Sequence, residues 1–151
     1  MSDEEATTPA PSERLLRGQQ RQAEMSYGPA EGQYHNPMQD VAPDLVSLIT
    51  EFAYGDIHSR PGLDPGQRQL VILGVLTALG DTERQVANHT RSALGAGLSP
   101  HAIVEAIYQT IPYVGFPRAI RALQSVTATF EKFDVVGDLP WNRPNGKGRT
   151  D

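Results

Sequence analysis

Apolar residues recur at three- and four-residue spacing along most of the chain, and no segment alternates as a half-buried strand would. Val41, Leu45, Leu48, Ile49 and Phe52 form one stripe, which predicts an amphipathic helix with that stripe buried. Asp64-Pro65 opens the next helix, a capping carboxylate followed by proline at the first helical position. It runs to about Leu79 and is apolar nearly all round, so it is expected at the centre of a bundle or between subunits. From Asp81 to Pro117 the pattern predicts two helices joined by a very short turn. Asp81 is the expected cap of the first, Gly97 its end, and Ser99-Pro100 the start of the second. After Pro112, Tyr113-Val114-Gly115-Phe116-Pro117 reads as a tight elbow. A last helix to about Phe133 is expected to bury Phe116, Ile120, Leu123, Thr127 and Phe130. Glu13 to Met25 offers only the thin stripe Leu15, Leu16 and Ala23, with Arg14, Arg17 and Arg21 on a solvated face. The sum is an all-α fold, a bundle of about six helices without a sheet.

Between and beyond these segments the composition changes. Residues 1–13 are rich in Ser, Thr, Pro and acids and are expected to be disordered. Residues 27–43 read as an extended connection, in which His35 is a surface histidine. Residues 134–151 are expected to form a mobile tail, with Trp141 as a candidate to pin it to another subunit. The chain has 151 residues, enough for one domain. Its formal net charge is -5 with no basic run, which argues against nonspecific nucleic-acid binding. The absence of cysteine excludes disulfides, thiolate metal sites and cysteine nucleophiles. No apolar run reaches the length of a membrane span, and Met-Ser-Asp-Glu-Glu is unlike a secretory signal. A soluble, cytoplasmic protein without membrane contact is expected.

The candidate chemistry lies on two helices and one loop. On the helix after Asp81, Val86, Thr90, Ala93, Leu94 and Gly97 share a face, and His89 stands at its edge with Thr82 and Gln85. An imidazole there is either a buried histidine satisfied by one hydrogen bond or a group that exchanges protons near neutral pH. Glu51 stands at the edge of its own stripe, as a rim carboxylate in an ion pair or a desolvated acid for proton transfer. Asp56, His58 and Arg60 crowd into five residues before a Pro-Gly turn. Arg60 can grip a carboxylate with two parallel bonds, or it pairs with Asp56 or Asp64. Arg91 falls opposite the apolar face, a position for solvent or a subunit contact. Glu51, Asp56, His58 and His89 lack a ligand pair spaced on one helix, so no metal site is expected.

Several motifs occur in register: Thr50-Glu51-Phe52-Ala53-Tyr54-Gly55-Asp56, Arg60-Pro61-Gly62-Leu63-Asp64, Leu76-Thr77-Ala78-Leu79, His89-x-Arg91-x-Ala93-Leu94-x-x-Gly97, and Tyr113-x-Gly115-x-Pro117-x-Ala119. In these the chain resembles the carboxymuconolactone decarboxylase family over about residues 14–133. The resemblance implies an alkylhydroperoxidase D-like helical fold, assembled as a homotrimer or homohexamer. It implies a lyase without metal or organic cofactor, which removes the carboxylate of a small unsaturated lactone acid. His89 is then the proton donor with Glu51 beside it. Arg60, Asp56, His58 and Tyr113 are then residues that bind the anionic substrate. The related peroxidase branch places two cysteines before the histidine, where this chain has Thr82 and Gln85, so thiol chemistry fails on residues alone. That branch also uses a glutamate near Gln69, which relays no proton as a carboxylate does. A dehydratase, isomerase or cyclase on the same fold needs the same acid-base groups, and a non-catalytic oligomer needs none.

Overall fold

The computed structural model describes residues 10–28 and 37–142. His35, most of the acidic N-terminal extension and the end of the tail lie outside the described residues. Among those described there are six α-helices and no strand, as the periodicity predicts. No described helix is long and apolar enough to cross a membrane. Two units are distinguished: residues 10–23 with 37–60, and residues 24–28 with 61–142.

In the first unit, α1 (Glu13–Glu24) begins at Ser12, whose hydroxyl accepts from the Leu15 amide at 3.1 Å. Helix α2 (Pro43–Leu48) continues without a break into a π-helical stretch, Ile49–Ile57. Its turns are wider than α, as the bond from the His58 amide to the Ala53 carbonyl at 2.8 Å shows. Helix α1 approaches this stretch backbone to backbone. A side chain at Gly18 would strike the Thr50 carbonyl, and one at Gly55 would strike the Arg14 carbonyl. The predicted buried stripe is overturned here: Val41 is 78% exposed, Phe52 59%, and Leu45, Leu48 and Ile49 are exposed as well. What the unit buries is the glycine-lined approach, Thr50 and His58. The wide turns also rotate Phe52 away from its place on a 3.6-residue wheel.

The second unit holds α3 (Pro65–Leu79), α4 (Glu83–Gly95), α5 (Pro100–Val114) and α6 (Phe116–Lys132). Helix α3 packs on α4 and α5, and both of these pack on α6. The start of α3 is a capping box between Asp64 and Gln67, with bonds of 2.8 and 2.9 Å. Asp81 does not cap α4. Its backbone is left-handed at φ 52 and its carboxylate accepts from Arg121 Nη1 at 2.6 Å, which leaves Thr82 at the cap position. At the other end Gly97, at φ 86, closes a Schellman turn: its amide reaches Leu94 and the Leu98 amide reaches Ala93, each at 3.0 Å. Ser99 then caps α5 by accepting from the Ala102 amide at 3.1 Å. Pro112 lies inside α5, so the elbow narrows to Gly115 at φ 80.

Two helices turn faces other than those their large residues suggest. Helix α3 buries Gly66, Gln69, Leu73 and Thr77 and leaves Val71, Val75 and Leu79 exposed. Helix α6 buries Ala119, Ala122, Val126, Thr129 and Phe130, while Phe116 and Ile120 are 66% and 51% exposed and Thr127 is exposed too. Of the predicted α6 face, Phe130 is buried and Leu123 packs against the core partly covered. The chain after Asp134 also enters the core, through Val135 and Leu139. Trp141 packs edge-on to His101 of its own chain, with ring centroids 5.6 Å apart.

Candidate active site

Four of the six candidate residues belong to the first unit. Glu51 accepts a hydrogen bond from the Ser12 hydroxyl and lies 3.9 Å from Arg14 Nη1. Its side chain is a quarter exposed, the setting of a rim carboxylate rather than of a desolvated acid. Asp56 accepts from Arg14 Nη2 at 2.6 Å and from Arg17 Nη2 at 3.2 Å. The hydrogen bond from Arg14, helped by its charge and by Arg17, holds the Asp56 carboxyl below the usual carboxylate range. So Arg14 and Arg17, expected to be merely solvated, close over a carboxylate of their own chain. His58 is buried and stacks on Tyr54, with ring centroids 4.9 Å apart and planes 17° off parallel. Burial pushes the Tyr54 phenol up. Arg60 is exposed at the end of this unit.

The other two belong to the second unit. Tyr113, in the last turn of α5, is 81% exposed. His89 is half-buried on α4. Thr82 donates to the Leu76 carbonyl at 2.8 Å. A partner of His89 comes from α3: its Nδ1 lies 2.9 Å from Oε1 of Gln69, a side chain with no exposed surface. The Gln69 Nε2 donates to the Met25 sulfur at 3.4 Å. Sequence reasoning noticed Gln69 only as a residue unable to relay a proton. One amide amid Leu70, Val71, Ile72 and Leu73 was the available signal, since a buried amide needs partners. Nothing in the sequence pointed to Met25.

Arg91 is tied within its own chain. Half-buried, it donates from Nε to the Tyr27 carbonyl at 2.8 Å, and its guanidinium carbon sits 5.8 Å above the Phe133 ring. Among the described residues no group of three or more His, Asp or Glu could hold a metal ion.

A helical protein with a histidine set against a buried amide has the means for acid-base chemistry. The profile of the carboxymuconolactone decarboxylase family matches residues 43–128, more than half of the chain, and the chain belongs to that family. Over 99 residues it is 31% identical to 4-carboxymuconolactone decarboxylase of Acinetobacter baylyi, spanning 66% of this chain and 73% of that one. Over 98 residues it is 36% identical to nitrosuccinic acid decarboxylase npaB of Metarhizium robertsii, spanning 64% and 66% respectively. The family and these two decarboxylases together support a decarboxylase-like function.

Proposed function

We propose that this chain is a cofactor-independent carboxy-lyase for a small unsaturated lactone acid or a related acid, in which His89 moves the proton. The observation that carries this is the half-buried His89 ring, held at Nδ1 by Gln69 at 2.9 Å. The names of the two relatives point to one chemical demand. When the bond to the carboxylate breaks, carbon dioxide leaves and its electron pair stays on the substrate. A conjugated lactone carbonyl takes that pair up as a dienolate, and a nitro group takes it up as a nitronate. Protonated His89 then delivers a proton to carbon and regains one from solvent. The anion needs a cation and the developing oxyanion a donor. By the family resemblance Arg60 is assigned the first role and Tyr113 the second, with Asp56 in the π-helical stretch and His58 at its end kept as further substrate-binding candidates. The neighbours of Glu51 argue for leaving it outside the proton transfer. The alkylhydroperoxidase D-like assignment and assembly as a trimer or hexamer belong to the same proposal.

The test is carbon dioxide release from 4-carboxymuconolactone and from nitrosuccinic acid. His89→Gln should lower turnover by at least about two orders of magnitude, the usual scale of acid-base help. Glu51→Gln should retain most of it. An equal loss in both variants, with a less than additive double mutant, would return Glu51 to the proton transfer. Near-normal release by His89→Gln would remove the histidine from the chemistry. Turnover of a related acid without carbon dioxide would point to dehydration or isomerisation by the same histidine.

A further inference from the structure

We infer that Met25 sets the orientation of the Gln69 carboxamide, and that Gln69 thereby holds His89 as its Nδ1–H tautomer, which commits proton transfer to Nε2. A carboxamide has two unlike ends: the NH2 group only donates and the oxygen only accepts. Gln69 is fully buried, so water does not stand in for a poorly matched partner. Its Nε2 faces the Met25 sulfur at 3.4 Å, and a thioether can only accept. Its Oε1 therefore faces the imidazole, at 2.9 Å from Nδ1. An oxygen that only accepts needs a hydrogen on that nitrogen. The neutral ring then carries its proton on Nδ1 and its lone pair on Nε2. The reversed amide would set oxygen against sulfur, two acceptors face to face, and would present NH2 to the ring. That arrangement selects the other tautomer.

Met25 is itself fixed. It is 2% exposed, and its carbonyl sits so close to Gly95 of α4 that a side chain there would strike it. The helix that carries His89 thus also seats the methionine that orients its partner. Gln69 and Met25 are positioning residues here: Gln69 acts through the ring, and Met25 through Gln69.

The tautomer is read in the resting full-length protein by long-range nitrogen-15 NMR of labelled histidine, with no substrate needed. Native His89 should be mainly Nδ1–H, the reverse of the preference of free histidine in water. Gln69→Leu and Met25→Leu should both move it toward Nε2–H. Gln69→Glu, whose carboxylate also only accepts, should restore Nδ1–H. On the decarboxylase reading, on which this arm alone rests, Gln69→Leu should lower kcat by about 10- to 100-fold, a part of the roughly 10²- to 10⁴-fold that acid-base help supplies. Gln69→Glu should recover most of that loss. A native ring in the Nε2–H form overturns the inference. So does an Nδ1–H form that persists in the Leu variants. Should Gln69→Leu fail to fold, the Met25→Leu spectrum decides. If the tautomers shift as stated while carbon dioxide release stays constant, His89 leaves the proton transfer and the tautomer assignment stands; if the native protein releases no carbon dioxide from either acid, the decarboxylase reading fails and the tautomer assignment is untouched.

Discussion

His89 and Arg91 stand two residues apart on α4 and serve different ends. The histidine meets a polar side chain that can hold a proton in place; the arginine ties a backbone carbonyl and covers a ring. Arg91→Gln should therefore cost about 1.5–3 kcal/mol of stability, the range for a hydrogen bond to a charged group. It should change turnover only a few-fold. Urea unfolding beside steady-state rates would check both. A stable Arg91→Gln protein without activity would show that the two residues had been given each other's roles. The edge position of His89 was legible because α4 presents one clean face, and Val86, Thr90, Ala93 and Leu94 are all buried on it. Its partner was not legible. On α3 the apolar residues cover every side, so no wheel singles out the line of Gln69, Leu73 and Thr77. The partner of Arg91 is a carbonyl in a connection without periodicity, and backbone atoms leave no mark in a sequence.

At the scale of elements, caps were the most legible features. Asp64, Ser99 and Gly97 act through local geometry, which a few neighbouring residues determine. Asp81 misled because a left-handed backbone turns its carboxylate to Arg121, a contact made forty residues away. The π-helical stretch was illegible from a 3.6-residue wheel, and it carries Glu51 and Asp56. Its hold on α1 runs through Arg14, Arg17 and Asp56, which predicts an acid response. A carboxyl whose folded value is depressed adds stability above its unfolded value, and that stability is lost as pH falls through the folded value. For Asp56 the loss should therefore set in below about pH 4. The groups are partly exposed, so the effect is small and screened by salt. Hydrogen exchange of the α1 amides should accelerate in acid beyond the intrinsic trend. Asp56→Asn should raise exchange at neutral pH and flatten that acid response. An unchanged pH profile in Asp56→Asn would assign the docking of α1 to the Gly18 and Gly55 approach alone.

At the scale of the molecule, the residues that upset the face predictions are, Thr127 aside, large, apolar and uncovered. On α3, Val71, Val75 and Leu79 recur every four residues on one side, at 58%, 53% and 64% exposure. On α6, Phe116 and Ile120 repeat the pattern, and in the first unit Leu48 and Phe52 are 61% and 59% exposed. Meanwhile the inward line of α3 carries Gln69 and Thr77 beside Leu73, and that of α6 mixes Ala119, Ala122 and Thr129 with Val126 and Phe130. Rows of large apolar residues left uncovered on α3, α6 and the π-helical stretch suit a chain that meets further copies of itself. Sequence periodicity registers burial of either kind and does not say whether the covering surface is the same chain or another. The expected outcome is a homo-oligomer, trimeric or hexameric, at micromolar concentration in sedimentation velocity. Val75→Lys and Ile120→Lys place a charge on exposed positions, so each chain should keep its helical circular dichroism and sediment closer to monomer. Phe52→Lys makes the same test for the first unit. A natural chain that sediments as a monomer would refute assembly. Intact oligomers in all three variants would place the contact on surfaces other than these lines of α3, α6 and the π-helical stretch.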